Sequence, residues 1–501
     1  MKIVICGGGI SGLYSALLLS RFHSDLDITI IESSNRLGGR IKSFVDGDIK
    51  YEIGAGRFSS KHDRLMRLIG DCHLDSCIKP IKSSHSYFIG NTFLENDSEL
   101  LKYFGIRKSF RQLWKSVASD YITWSNLGRK SLPFILQREY DAKTADALSY
   151  HIGYQDILRL DPKITIKTLL DSYDILREYQ FNTLDGGLEQ LIKCITSELK
   201  RRKVKIRLST QLEDIKPFNK GYFIITDNDI LEADYVFITM TRNTCQNIPF
   251  LRKHMAYSLK HIIPLPLMRI YAVFDKPWFK GLNSIITDLP IEYFIPINPH
   301  TGLTMISYVD YKNVEYMRRH IQKGDLQKTI MTQIRHMMTH IKHIVPPEPI
   351  SLEYYDWTEG IHGYRPNTNW DYIHDDIEEL AKQHIYIAGE MVSQSAQGWI
   401  EGALETAELA VNRFRLQVGG ASISLADIAK NKWIAIRGKV FDVSGFISKH
   451  PGGANIYKGI GKEHTTLWNK THSDAIYNSH LATEENRKKY GIKLIGTMHT
   501  S

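Results

Sequence analysis

The stretch Lys2–Gly12, KIVICGGGISG, constrains this chain more than any other. An apolar run, Ile3 to Cys6, breaks at Gly7, Gly9 and Gly12, and a helical pattern of Leu13, Ala16, Leu17 and Leu18 follows at once. The pattern predicts a strand, a tight turn and a helix whose N-terminus faces a diphosphate. Gly7 permits the turn, Gly9 the close approach of backbone to phosphate, and Gly12 the packing of helix on strand. A second strand pattern, Asp27 to Ile31, ends in Glu32. That places a carboxylate for a ribose hydroxyl about 20 residues beyond the glycines. Strand, helix and acid together set this motif apart from an ordinary glycine-rich turn.

Arg36-Leu37-Gly38-Gly39-Arg40 follows almost directly, and the run ESSNRLGGR resembles the flavin-containing amine oxidase family. The resemblance implies FAD, with Arg36 and Arg40 supplying charge against phosphate and the Gly38-Gly39 pair letting the chain pass close to the flavin. Further on, YEIGAGRF puts Gly54 and Ala55 in a small-residue loop against the flavin. This segment looks most like the L-amino-acid oxidase branch, where an arginine at the position of Arg57 grips the substrate carboxylate. A pairing of Arg57 with a protein carboxylate or a phosphate is the plainer alternative.

At 501 residues the chain should hold two or three domains. Its 43% hydrophobic and 24% charged residues and mean hydropathy of -0.27 are those of an ordinary soluble protein. No apolar run reaches the roughly 20 residues that span a bilayer. The N-terminus goes straight into a strand, which leaves no room for a signal peptide. Five scattered cysteines, Cys6, Cys72, Cys77, Cys194 and Cys245, fit a reduced, cytoplasmic compartment. Cys72 and Cys77 read either as a redox pair or as buried thiols. Of the formal charge of +9, about +6 falls between Ser422 and the end, where twelve Lys/Arg stand against six Asp/Glu. Such local basicity implies an acidic partner surface rather than nucleic acid.

Residues 76–185 read as helical and irregular, the region where the family inserts much of its substrate domain. Gly186-Gly187 precedes an apolar helix, whose basic end Lys200–Lys203 reads as a solvated face. In the family, the chain near Leu212–Ile215 passes the adenine. In PLPLMRIYAVFDKPWF, Arg269 stands where many relatives carry a lysine that holds a water near the flavin. Arginine is bulkier and does not deprotonate, which argues against fast reaction of reduced flavin with oxygen. His336, His340 and His343 have a spacing that can bind a metal, but a polar helix face is the simpler reading.

Two late segments extend the resemblance. IYIAGE ends in Gly389 and Glu390, which in the family meets the ribityl–diphosphate portion of FAD. Gly398, Trp399 and Ile400 open a helix placed by the family at the flavin pyrimidine ring, where a positive dipole end stabilises reduced flavin. Trp399 matches one wall of an aromatic cage for an amine. Tyr364 is expected as the other wall, with ordinary core packing as its alternative. Residue 363 is Gly where some relatives carry a flavin-linking cysteine, so FAD is expected to be non-covalent.

After a linker at 416–422 the pattern changes. VFDVSGFISKHPGG and the residues around it, 423–498, resemble cytochrome b5. The resemblance implies haem b with His450 as one axial ligand and His472 as the second, His464 and His480 being the competing candidates. Two axial histidines leave no open iron position, so this haem would carry electrons.

The expected architecture is an α/β, Rossmann-like FAD-binding module with the two-domain amine oxidase layout, followed by a small α+β cytochrome b5-like domain. FAD-binding parts are expected at about 1–75, 186–250 and 350–415, and substrate parts at about 76–185 and 251–349. The expected activity is oxidation of a small-molecule amine or amino acid by hydride transfer to flavin. Electrons would then pass to the haem, either within the chain or through an acidic redox partner. Direct use of oxygen with release of hydrogen peroxide, or a redox relay without substrate, are the other readings.

Overall fold

The structure is a computed structural model. It describes all residues except 24, 82–83, 122–129, 172–174, 176–179, 419–424, 437–438, 466–467, 469–470, 473, 478–479, 482 and 498–501. Two compact units, Met1–Glu408 and Leu409–Ser501, divide the chain.

In the first unit a five-stranded parallel sheet forms in the order Lys205–Arg207, Asp27–Ile31, Lys2–Cys6, Tyr235–Ile238, Ile385–Ile387. The central strand is buried from Ile3 to Cys6, as its unbroken apolar run requires of a sheet covered on both faces. It pairs Ile3 with Tyr235 on one side and with Ile28 on the other. Helix Ile10–Phe22 leaves the tip of this strand, and Gly9 is its N-cap.

A seven-stranded sheet follows the order Ser351–Tyr364, Ile262–Val273, Leu303–Asp310, Tyr293–Asn298, Ser284–Thr287, His85–Ile89, Thr92–Leu94. One face carries helices Tyr311–Lys323 and Leu326–Ile341 over a core that includes Met268, Ile270, Ile306, Met331 and Met337. The register of the two longest strands slips between Leu265 and Leu267, where Pro266 has no N–H to give. Ser351–Tyr364, assigned from sequence to the FAD-binding parts, belongs to this second sheet. The reason is its pairing along Ile262–Val273, from Ser351 opposite Val273 to Tyr364 opposite Ile262.

Three sequence expectations change. Residues 76–185 are not only helical: Ile78–Pro80, His85–Ile89 and Thr92–Leu94 are strands. The last two form a hairpin turned by Gly90 and Asn91, both at positive φ, as a tight hairpin demands. The cysteine reading also fails. Cys72 pairs with Cys194, 122 residues away, with Cα atoms 6.0 Å apart, while Cys77 stays a free, half-buried thiol. Finally, helix Ile400–Gln417 runs into the expected linker, whose residues 419–422 lie outside the described ones.

The second unit has a four-stranded sheet in the order Lys462–Glu463, Ile434–Ile436, Lys439–Asp442, Lys493–Thr497. Ile434, Ile436, Phe441, Val443, Phe446 and Leu481 build its core.

Candidate functional site

The turn after the first strand behaves as its three glycines predict. Gly7 sits at φ +116, and a Cβ there would meet Thr239 Oγ1 at 2.8 Å. At Gly12 a Cβ would lie 2.1 Å from the Gly7 carbonyl oxygen, so only glycine lets helix and strand come this close. Gly9 differs: a Cβ would meet nothing within 4 Å, because the residue faces an open cavity.

That cavity encloses about 720 Å³, within the usual range for a small-molecule or cofactor site. Its walls include Gly7, Gly9, Glu32, Arg36, Gly39, Arg40, Gly54 and Ala55, and from the late segments Gly389, Glu390, Gly398, Trp399 and Ile400. Gly389, at φ +135, would also point a Cβ into open space. Gly54 has no such room, since a Cβ would fall 1.9 Å from the Arg40 carbonyl oxygen. The first turns of helices Ile10–Phe22 and Ile400–Gln417 both open on the cavity. Ser11, missed by the sequence reading, stands in one of them. Its hydroxyl is buried and has no hydrogen-bond partner among the described residues. Open glycines, helix N-termini and an orphaned hydroxyl are what a diphosphate-bearing cofactor requires, so the residues present fit FAD.

Charged side chains brace the walls. Glu32 accepts hydrogen bonds from the N–H groups of Gly8 at 2.7 Å and Ser34 at 2.9 Å. Arg36 turns its guanidinium onto the carbonyls of Leu37, Ile41 and Gly39. Arg40 donates to Glu390 at 2.6 Å. Glu390 is buried and also meets His362 Nδ1 and the Gly398 N–H, the latter at 2.9 Å. Burial alone would push Glu390 up, but Arg40 and His362 hold it well below the usual carboxylate range. On its far side, His362 Nε2 reaches Glu359 at 3.1 Å. Burial lowers His362, yet Glu390 and Glu359 outweigh it and raise it above the usual histidine value. The sequence reading passed over His362 although it lies in the same EGIHGYRP segment as Tyr364; nothing in the residue pattern marks it as sandwiched between two acids.

Tyr364 is the clear correction. It is 0% exposed, lines no part of this cavity, stacks edge-on to Trp370 and donates its hydroxyl to the Met391 carbonyl at 2.5 Å. The strand lines the cavity only from Asp356 to Ile361, and Tyr364, beyond that stretch, is packed in the core against Trp370. Trp399 does line the cavity, with Phe181 stacked on it at 5.7 Å. The tyrosines on the cavity wall are Tyr154 and Tyr308. Arg57 lies among these rings, 4.8 Å above Phe181 and 5.9 Å from Trp399, and donates to the Tyr154 hydroxyl at 3.0 Å. Arg269 is anchored on the Glu52 carbonyl at 2.8 Å and stands 5.0 Å over Tyr308.

In the second unit the rings of His450 and His472 have centroids 6.1 Å apart. One metal taking both imidazoles at about 2 Å per bond requires a similar separation, so this pair fits a haem iron. His450 Nδ1 lies 3.3 Å from the Gly453 carbonyl, which leaves Nε2 for a metal. His472 stacks on Trp468 at 4.0 Å. Burial, then the neighbouring His450, lowers His472 and favours the neutral, ligating form. The competitors are placed otherwise: His480 stacks on Tyr490 at 3.8 Å, and His464 packs over Gly459. His336 meets Asn91 at 2.7 Å, and no group of three metal-binding side chains occurs among the described residues.

Known proteins agree with this division. The family described as flavin containing amine oxidoreductase matches residues 10–414, and the cytochrome b5-like heme/steroid binding domain matches 424–492. The L-amino-acid oxidase of Mus musculus is 22% identical over 353 residues, 61% of this chain and 53% of that protein. The chain thus spans about half the length of that relative. The L-amino-acid oxidase of Crotalus adamanteus is 23% identical over 475 residues, 84% of this chain and 89% of that one. A solved structure of putrescine oxidase bound to putrescine, 16% identical, matches with a TM-score of 0.64 over 83% of this chain and 99% of its own.

Proposed function

We propose that this chain, which belongs to the flavin-containing amine oxidoreductase family and carries a cytochrome b5-like domain, oxidises an amine or amino acid and passes the electrons to a b-type haem on the same polypeptide. FAD, when bound, supplies the hydride acceptor, and haem supplies a one-electron carrier without an open coordination position. The observation carrying this reading is that Arg57 and Trp399 line the same cavity as Gly9, Ser11 and Gly389.

Arg57 holds the substrate carboxylate through its guanidinium, and Trp399 supplies an apolar face that keeps the carbon bearing nitrogen in line. Glu390, fixed by Arg40 and His362, holds the Gly398 N–H and so sets the start of helix Ile400–Gln417 at the cavity wall. Gly363 leaves no thiol for covalent attachment, so FAD is non-covalent. Arg269, a fixed cation in place of the relatives' lysine, supports transfer to haem over direct use of oxygen. His450 and His472 hold the haem, and an acidic redox partner suits the basic charge of this domain.

Anaerobic stopped-flow mixing with amino acids and polyamines tests the reading. Flavin bleaching followed by haem reduction is expected. Bleaching without haem reduction, with peroxide formed in air, would support the oxidase activity that the L-amino-acid oxidase relatives are named for. Absence of bleaching with every substrate would leave a redox relay.

A further inference from the structure

The two candidate haem ligands have unlike aromatic neighbours. Phe446 meets the His450 ring edge-on, with centroids 5.7 Å apart and planes at 87°. Trp468 lies flat on His472 instead, 4.0 Å away and with the planes only 12° apart. The His472 N–H donates to the Trp468 carbonyl at 2.8 Å, so a single helical turn stacks indole on imidazole. His472 Nδ1 lies 2.8 Å from the Thr471 hydroxyl, and that oxygen stands 3.4 Å from the same Trp468 carbonyl. With Nε2 on a metal, Nδ1 carries the proton and donates to Thr471, whose own hydrogen is free for the Trp468 carbonyl. One edge of the imidazole is thereby pinned by Thr471 and one face covered by Trp468.

Trp468 is not placed by its own polar atom. Its Nε1 is buried and has no hydrogen-bond partner among the described residues. A buried indole N–H ordinarily finds an acceptor, so the ring face is what this position uses. Trp468 also packs against the apolar core of the second unit. Core filling asks only for volume, which leucine supplies; a parallel stack on a metal ligand asks for a flat aromatic ring. With His450 and His472 held by these different neighbours, their planes stand at 50° to each other.

Taking His450 and His472 as the haem ligands, as in the function proposed above, we propose that Trp468 is a positioning residue: its face sets the angle of the His472 imidazole about the bond to iron and holds the two axial ring planes twisted rather than parallel. Groups behind a metal-binding histidine fix its orientation and tune the metal. In a low-spin ferric haem the axial ring planes direct the orbital of the unpaired electron. The largest g value in electron paramagnetic resonance therefore rises as the planes turn from parallel toward perpendicular.

The test uses the full-length protein loaded with haem and oxidised to the ferric state. Trp468→Leu keeps apolar volume without a flat face; it should move and broaden the largest g value and weaken haem binding about tenfold or more. Trp468→Phe keeps a face and removes the N–H, and should return the parental g value. Melting temperature and the haem-to-protein ratio report whether each variant is folded and loaded. A parent protein without a bis-histidine low-spin signal would overturn the ligand pair and this role of Trp468 with it. A parental bis-histidine signal that is unmoved in loaded Trp468→Leu, or displaced in loaded Trp468→Phe, overturns the role of Trp468 alone.

Discussion

Arg40 Nη1 donates to Glu390 Oε1 at 2.6 Å, across 350 residues of chain. The bond ties the loop after the second strand to the segment that returns at the end of the first unit, so the cavity exists only when both are in place. Removing one partner of a buried ion pair leaves the other uncompensated, at a cost of about 3–5 kcal/mol. Glu390→Gln should therefore lower unfolding free energy by several kcal/mol, of that order, and reduce FAD occupancy. Denaturant unfolding and the flavin-to-protein ratio measure both; a stable, fully yellow variant would contradict it.

Gly9 and Gly12 separate cofactor space from packing space. Gly9→Ala places a methyl in the open cavity, so the apoprotein should melt as before while FAD affinity drops. Gly12→Ala drives a methyl against the Gly7 carbonyl and should destabilise the fold itself, by about 1–3 kcal/mol or more. Apoprotein melting temperatures and FAD titrations distinguish the two. Equal effects of both substitutions on apoprotein stability would refute the distinction.

Arg57→Ala should weaken amino acids more than amines that lack a carboxylate. Loss of a charge-assisted pair corresponds to about 10–100-fold in KM. Steady-state or anaerobic saturation with an amino acid and its decarboxylated analogue gives the comparison. A parallel loss for both would assign Arg57 a purely structural part.

The buried acids set a sign for stability against pH. Asp156, Asp310 and Glu292 hold protons in the folded state that the unfolded chain releases above about pH 4. Stability is therefore lost as pH rises from there toward the folded values, by about 1.4 kcal/mol per pH unit for each unmatched proton. His362, raised in the folded state, acts in the same direction: its contribution is intact below about 6.5 and disappears as pH climbs through its folded value. Unfolding free energy should fall from pH 5 to 9, and Glu292→Gln should flatten the slope. A slope of opposite sign would rule out this set of protonations.

His450→Ala and His472→Ala should each remove the six-coordinate haem spectrum, while the FAD spectrum and substrate bleaching persist. Retention of that spectrum in His472→Ala would return His464 or His480 to consideration.

Where chemistry depends on short local patterns, it was legible in the residues alone. Gly7, Gly9 and Gly12 act within one turn, and HPGG positions His450 through its own backbone, so each motif carries its geometry with it. Tyr364 and His362 show the limit. Neighbours in sequence, they sit on a strand whose side-chain direction depends on pairing with Ile262–Val273 and on a register slip beside Pro266. Nothing in EGIHGYRP reveals where along that strand the cavity lining stops. The hairpin at Gly90-Asn91 has its signal in those two turn residues alone. The Cys72–Cys194 bond has no such local signal, since the pair lies 122 residues apart.

The order of residues by itself determined that this chain has a dinucleotide-type turn and a flavin-type loop, because each follows from contacts within a few residues. Only the folded chain decided which acids became buried, how His362 came to lie between Glu359 and Glu390, and how Asp310 and Glu292 came to share one buried corner. Those outcomes depend on desolvation and on contacts between distant segments, and neither is a property of any one stretch.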